Sequence, residues 1–181
     1  MRQTFYIHED LWGVVTLTPT ENKSQFDEVR AQLAQHDREH WTGSGWNELF
    51  FLPDEHFPLA RRAIPYSQLF DHFQPAFYGL RLILEGDSLP TGTRAVNEFA
   101  LHCPDFGTLY GLHRKIDGIL TQLHFAEEDE MRLSEAALHL LHGFGQQHRL
   151  MLFDGYLREC ANLANLQELR QYFEGNLPGP A

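Results

Sequence analysis

The feature that most constrains this chain is the wide spread of its strand-forming segments. Thr4-Phe5-Tyr6-Ile7-His8-Glu9 and Gly13-Val14-Val15-Thr16-Leu17-Thr18 are rich in β-branched and aromatic residues, and so are Phe77 to Glu85 and Arg149 to Asp154. A lone strand leaves its backbone polar groups unpaired, so segments this far apart in sequence have to meet in a sheet. Patterns of helical period lie between them, and strands interleaved with segregated helices give the α+β class. The expectation is a single α+β domain over residues 1–181, built on a small, mainly antiparallel sheet with helices packed largely on one side. A flexible tail is expected from about residue 175.

Local signals place the elements. Asp10-Leu11-Trp12-Gly13 is turn-like, so the first two runs are expected to form an opening hairpin, ended by Pro19. Asn22 or Ser24 caps a helix in which Phe26, Val29, Leu33, His36 and His40 share one stripe, and Gly43 and Gly45 break it. Trp46 to Leu52 reads as a short strand, Pro65 and Ser67 open a helix to about Phe73, and Phe77 to Glu85 reads as a central strand. Thr93 to His102 and Thr108 to His124 carry helical patterns divided by Pro104-Asp105-Phe106-Gly107, which predicts two packed helices. Ser134 caps a helix to Gln147 with Ala137, Leu138, Leu141 and Phe144 inward, its later turns weakened by Gly143 and Gly145. After the strand at Arg149 to Asp154, Tyr156 to Leu163 extends the sheet. Asn165-Leu166-Gln167-Glu168 then resembles a capping box opening a final helix that carries Leu166, Leu169 and Phe173 and ends at Gly175.

Charge narrows the partners. The chain holds 25 Asp and Glu against 14 Lys and Arg, a formal net charge of −11, and its only lysines are Lys23 and Lys115. A phosphate-binding surface needs clustered cations, so direct nucleic-acid binding is not expected. No apolar run reaches the roughly 18 residues needed to cross a bilayer, and the opening residues form no apolar leader, so a cytoplasmic protein without a membrane contact is expected. Cys103 and Cys160 stand far apart with no CxxC spacing and read as reduced thiols. An acidic chain suits a basic protein partner. The carboxylates that would meet it are Glu9 and Asp10, Asp54 and Glu55, and the run Glu127, Glu128, Asp129 and Glu130.

Eleven histidines raise the question of an enzyme. His36-Asp37-Arg38-Glu39-His40 matches H-x-x-E-H, in which two histidines one helical turn apart bind a metal and the glutamate activates water. Its alternative reading is a metal-dependent hydrolase using His36, Glu39 and His40, and its plain reading is helix-end packing, where histidines interact with the last carbonyls. A catalytic zinc also needs a third protein ligand from another element. Glu135, His139, His142 and Gln146 share a second helical face, which a polar outer surface explains equally well. There is no G-x-S-x-G, and Gly43-Ser44-Gly45 lacks the rest of a phosphate loop. No catalytic residue, metal or cofactor is therefore expected.

The two ends of the chain carry a resemblance. Tyr6-Ile7-His8-Glu9-Asp10-Leu11-Trp12-Gly13, followed by an aliphatic strand and Pro19, is similar to the start of small bacterial immunity proteins encoded beside polymorphic or type VI secretion toxins. Arg149-Leu150-Met151-Leu152-Phe153-Asp154, then Arg158-Glu159-Cys160 and Asn162-Leu163 before the last helix, resembles their ending. Gly155-Tyr156 departs from the more polar, Trp-containing turn of that pattern. The resemblance implies a non-catalytic inhibitor that binds a cognate toxin acting in the cytoplasm, a basic nuclease being the best match for an acidic guard. It fixes no binding residue. An acidic scaffold or adaptor is the third reading of the same charge.

Overall fold

Backbone pairing sets the architecture of this protein, seen in a computed structural model that describes residues 4–8, 13–44, 47–48, 54–85, 96–127, 132–155 and 159–176. The strands are β1 (Thr4–His8), β2 (Val15–Pro19), β3 (Tyr78–Glu85), β4 (Val96–Cys103), β5 (Gly107–Arg114), β6 (Leu120–Glu127), β7 (Leu150–Asp154) and β8 (Glu159–Asn162). The helices are α1 (Lys23–His40), α2 (Tyr66–Phe73), α3 (Glu135–His148) and α4 (Leu166–Asn176), with a short 3-10 helix at Leu59–Arg62. All eight strands join in one sheet in the order β1-β3-β4-β5-β6-β2-β7-β8. The fold is α+β. The sheet is mixed, because β1 runs parallel to β3 while every other ladder among the described residues is antiparallel.

Two expectations are overturned. The opening hairpin does not form: β1 lies at one edge beside β3, and β2 inserts between β6 and β7. Nearly all of β2 is buried, a profile that belongs to an inner strand with two partners rather than to half of an edge hairpin. The two helices expected across Thr93 to His124 are instead the meander β4-β5-β6. Its first turn is the expected Pro104-Asp105-Phe106-Gly107 breaker, with Asp105 in the left-handed region at φ 61° and Cys103 paired with Gly107. Phe77 to Glu85 does supply a strand, β3, but it stands one place from the edge. The strand expected from Trp46 to Leu52 falls outside the described residues except for Asn47 and Glu48, which form a bend.

Side-chain alternation divides the sheet into two faces. On one, Val15 and Leu17, Phe99, Leu101 and Cys103, Leu109, Leu123 and Phe125, and Leu150 and Leu152 meet the apolar sides of α2, α3 and α4. Leu69 and Phe73 come from α2, Ala137, Leu138, Leu141 and Phe144 from α3, and Leu169, Tyr172 and Phe173 from α4. Phe73 contacts Phe144, and the rings of Phe106, Phe125 and Phe173 contact one another, at centroid distances of 5.0 to 5.5 Å. Helix α1 packs on the opposite face, where Phe26 stacks on Phe153 at 4.0 Å beside Met151. Three helices thus share one side. No helix among the described residues is long and apolar enough to cross a membrane.

The helix ends follow the sequence closely. Ser134 caps α3 by accepting from the Ala137 amide, and Asn165 accepts from the amides of Gln167 and Glu168 at the start of α4. Glu168 accepts from the Asn165 side chain and from the Asn162 amide at the end of β8, while the Asn165 amide donates to the Asn162 carbonyl instead of closing a reciprocal capping box. Asn22 precedes α1 but its side chain does not cap it. Buried instead, it donates to Thr18 Oγ1 and the Phe57 carbonyl and accepts from the Phe57 amide, while Gln25 brackets Asp54 and His56 in the same way. Two side-chain amides thereby hold the backbone of residues 54–57 against α1. Gly175 does not end α4, which continues to Asn176; residues 177–181 of the expected tail lie outside the described residues.

Helix α3 runs through Gly143 and Gly145 to His148. At Gly145 an added Cβ would run into the Leu163 side chain and stand 3.1 Å from its Cα, so this glycine lets the helix touch the β8–α4 connection. At Gly143 the nearest atom is His72 Cε1 at 3.5 Å, an ordinary contact. Gly143→Ala should therefore stabilise the protein by about 0.5–1 kcal/mol through helix propensity. Gly145→Ala should destabilise it by about 1–3 kcal/mol despite the same propensity gain. Urea unfolding of the two variants checks the opposite signs.

Candidate functional site

Of the acidic residues proposed to meet a partner, Asp54, Glu55 and Glu127 are described, and Glu127 stands apart from the other two. Asp54 is exposed and Glu55 half-buried in the segment clamped to α1, where Glu55 accepts from the Thr18 hydroxyl and the Leu59 amide. Burial raises its carboxyl above the usual range, and those two hydrogen bonds oppose the rise. Glu127 is exposed at the end of β6. Val15 pairs with Phe125, which puts Glu127 about five residues from Thr18 along the strand direction, a separation of about 17 Å. Glu9, Asp10, Glu128, Asp129 and Glu130 lie outside the described residues.

The candidate metal ligands are spent on local contacts. His36 and His40 share one side of the last turns of α1, with ring centroids 4.5 Å apart. His40 donates from Nδ1 to Asn47 Oδ1 at 3.1 Å and lies 3.3 Å from a carboxylate oxygen of Glu48. Glu39 points to solvent and accepts from Gln35 at 2.8 Å, instead of facing the histidine pair as a water-activating base must. On α3, Glu135 forms a two-bonded pair with Arg170 at 2.5 and 2.7 Å, which holds its carboxyl below the ordinary range. His139 is 4.0 Å from the same carboxylate, and His142 turns inward to donate to the Leu163 carbonyl at 2.8 Å. Among the described residues no three His, Cys, Asp or Glu side chains converge as a metal-ligand set. Cys103 and Cys160 are both free, with thiols pushed up by burial, the opposite of a reactive thiolate.

Pairing of β2, β5 and β6 assembles a polar group that no local motif announces. Thr16 and His124 face each other across β2 and β6, with Thr16 Oγ1 3.1 Å from His124 Nδ1. The Thr16 hydroxyl donates to the Gly13 carbonyl at 2.9 Å, so the imidazole proton sits on Nδ1 and is donated to Thr16. Tyr110, paired with His124 across β5 and β6, accepts from the Gly13 amide at 3.4 Å. A hydroxyl beside a histidine suggests a nucleophile and its base, but the proton runs the wrong way: the base would have to take the proton that Gly13 O already accepts. Burial holds His124 down at about 4 and pushes Tyr110 up to about 12, so both are neutral across the physiological range. The group ties three strands together.

A further feature of the sheet is a cleft of about 550 Å³ where β3 and β4 part, lined by Leu80, Arg81, Leu82, Asn97, Glu98 and His113. His113 is fixed there by stacking on Tyr66 of α2, with centroids 4.8 Å apart and planes 8° from parallel. Sequence reasoning missed both assemblies. Their residues are scattered through segments whose pairing only the sheet defines.

No protein family, curated protein or solved structure matches this chain.

Burial of neutral His124 links stability to pH. Unfolding restores its ordinary pKa of about 6.5, so the unfolded chain binds a proton at pH values where the folded chain does not. The contribution is fully present above about 6.5 and is lost as the pH falls toward about 4, to a total of about 3 kcal/mol. His124→Asn, which retains a donor for Thr16, should flatten the loss of stability between those two pH values relative to the parent, read from urea unfolding across that range.

Proposed function

We propose that this chain is an immunity protein, a non-catalytic inhibitor that binds a cognate toxin in the cytoplasm and covers or distorts its active site. The observation that carries this reading is the net charge of −11, which favours encounter with a basic partner and disfavours acidic ones. Support also comes from the resemblance at both ends of the chain. The sites that would favour an enzyme are engaged otherwise: Glu39 with Gln35, His40 with Asn47, Glu135 with Arg170 and His142 with the Leu163 carbonyl. A basic nuclease is the toxin class that this charge suits best, and inhibition of that kind needs no cofactor.

Two measurements test the proposal. Protein purified without chelator should carry no stoichiometric zinc or iron by elemental analysis, and His36→Ala with His40→Ala should change stability only modestly; one metal per chain, lost in that variant, points to the hydrolase instead. The product of the neighbouring gene should bind the chain with an association rate that falls as salt rises. Changing Glu127, Glu128, Asp129 and Glu130 together to Gln or Asn, or either of the other two acidic clusters, should slow association and flatten the salt slope for the cluster that faces the partner. An unchanged slope in all three variants assigns the charge to solubility. Absence of binding separates an adaptor from an immunity protein.

A further inference from the structure

Strand β3 changes partners half-way along. Tyr78, Gly79 and Leu80 pair with His102, Leu101 and Ala100 of β4, whereas Arg81 to Glu85 pair with β1 on the other side. Among the described residues the ladder to β4 stops at Leu80, although β3 continues to Glu85 and β4 begins at Val96. Beyond that point the two strands border the 550 Å³ cleft instead of each other. Leu80 and Leu82 pack into the small cluster with Ile7, Ala100 and Tyr110, while the surface the cleft presents is mainly polar. Arg81 on one wall and Glu98 on the other are exposed, and neither forms an ion pair or hydrogen bond among the described residues.

An unpaired strand edge is a template for another strand, and main-chain pairing supplies affinity while flanking side chains supply register. We propose that the cleft takes an extended peptide segment of a partner protein, added beside β4 where β3 has left it. The segment places an acidic side chain against Arg81 and a basic one against Glu98. Residues 96–99 of β4 offer about 13 Å of edge, enough for about four residues of an added strand. Charges of opposite sign on the two walls favour an occupant that carries one charge of each sign. His113, opposite Asn97 on β5 and stacked on Tyr66, closes one end of the site. This site does not depend on the partner being a toxin.

A phage-displayed library of random peptides about twelve residues long, selected against the full chain, tests the proposal. Enriched peptides are expected to carry one acidic and one basic position and to slow amide hydrogen exchange across residues 78–85 and 96–100 by about tenfold or more. Arg81→Glu combined with Glu98→Arg should weaken those peptides about fivefold, the scale of exposed charge pairs, and a fresh selection on the variant should return peptides with the charges exchanged. Thermal unfolding of the variant should match the parent, because both side chains are exposed and make no ion pair or hydrogen bond among the described residues. Failure to enrich any peptide, protection mapping to another part of the sheet, or indifference to the charge exchange overturns the proposal.

Discussion

The five residues of β2 hold this molecule together. On one edge Val15 and Thr16 pair with Phe125 and His124, and on the other Val15 to Pro19 pair with Asp154 to Leu150. Without them the sheet would fall into two pieces, β1-β3-β4-β5-β6 and β7-β8, each with an open inner edge. The same five residues serve both faces. Val15 and Leu17 enter the large core under α2, α3 and α4, while Thr16 and Thr18 point to the other side and hydrogen-bond to His124, Asn22 and Glu55. Thr16 and Thr18 thereby give the buried His124 Nδ1 and the Asn22 amide hydrogen-bond partners on this face, a condition for burying them.

That arrangement explains how α1 is placed. The chain leaves β2 at Pro19 and enters α1 within four residues, and the Thr18–Asn22–Phe57 bonds fix the crossing. Gln25 one turn on repeats the clamp on Asp54 and His56, so α1 sits on the face opposite the other helices with Phe26 against Phe153. Nearby, Glu21 pairs with Arg62 and lies 3.9 Å from Arg149, joining the start of α1, the 3-10 helix and the start of β7 at the surface. One consequence bears on function: Glu55, legible in the sequence as a surface carboxylate, is turned inward to the Thr18 hydroxyl.

Legibility varied with how local the determining physics is. Helices α1, α2, α3 and α4 were readable because the signals that set them lie within one segment, as the caps Ser134 with Ala137 and Asn165 with Glu168 show for α3 and α4. The meander was not. In β5, residues from Gly107 to Leu112 are buried on both faces, so polar–apolar alternation is missing, and the Leu, Ala, Glu, Gln and His of β4 and β6 are at home in helices. The role of Gly145 was hidden for a related reason. Its propensity cost is visible in the sequence, but its close contact with Leu163 exists only after α3 and the β8–α4 connection have packed.

The amino-acid sequence by itself determined the α+β class, the acidic charge, the places of the four helices, the inward residues of α3 and α4, and the turn at Pro104–Gly107. Each of these depends on spacing along one stretch of chain or on a sum over all of it. Tertiary structure decided which strands are neighbours, and with that the parallel β1–β3 ladder, the insertion of β2, the meeting of Thr16, His124 and Tyr110, and the cleft where β3 leaves β4. Strand partners are chosen by how two faces and two edges are buried at once, a property of the assembled sheet. A segment's composition says that it will be extended, and only the competition among all the edges says beside what.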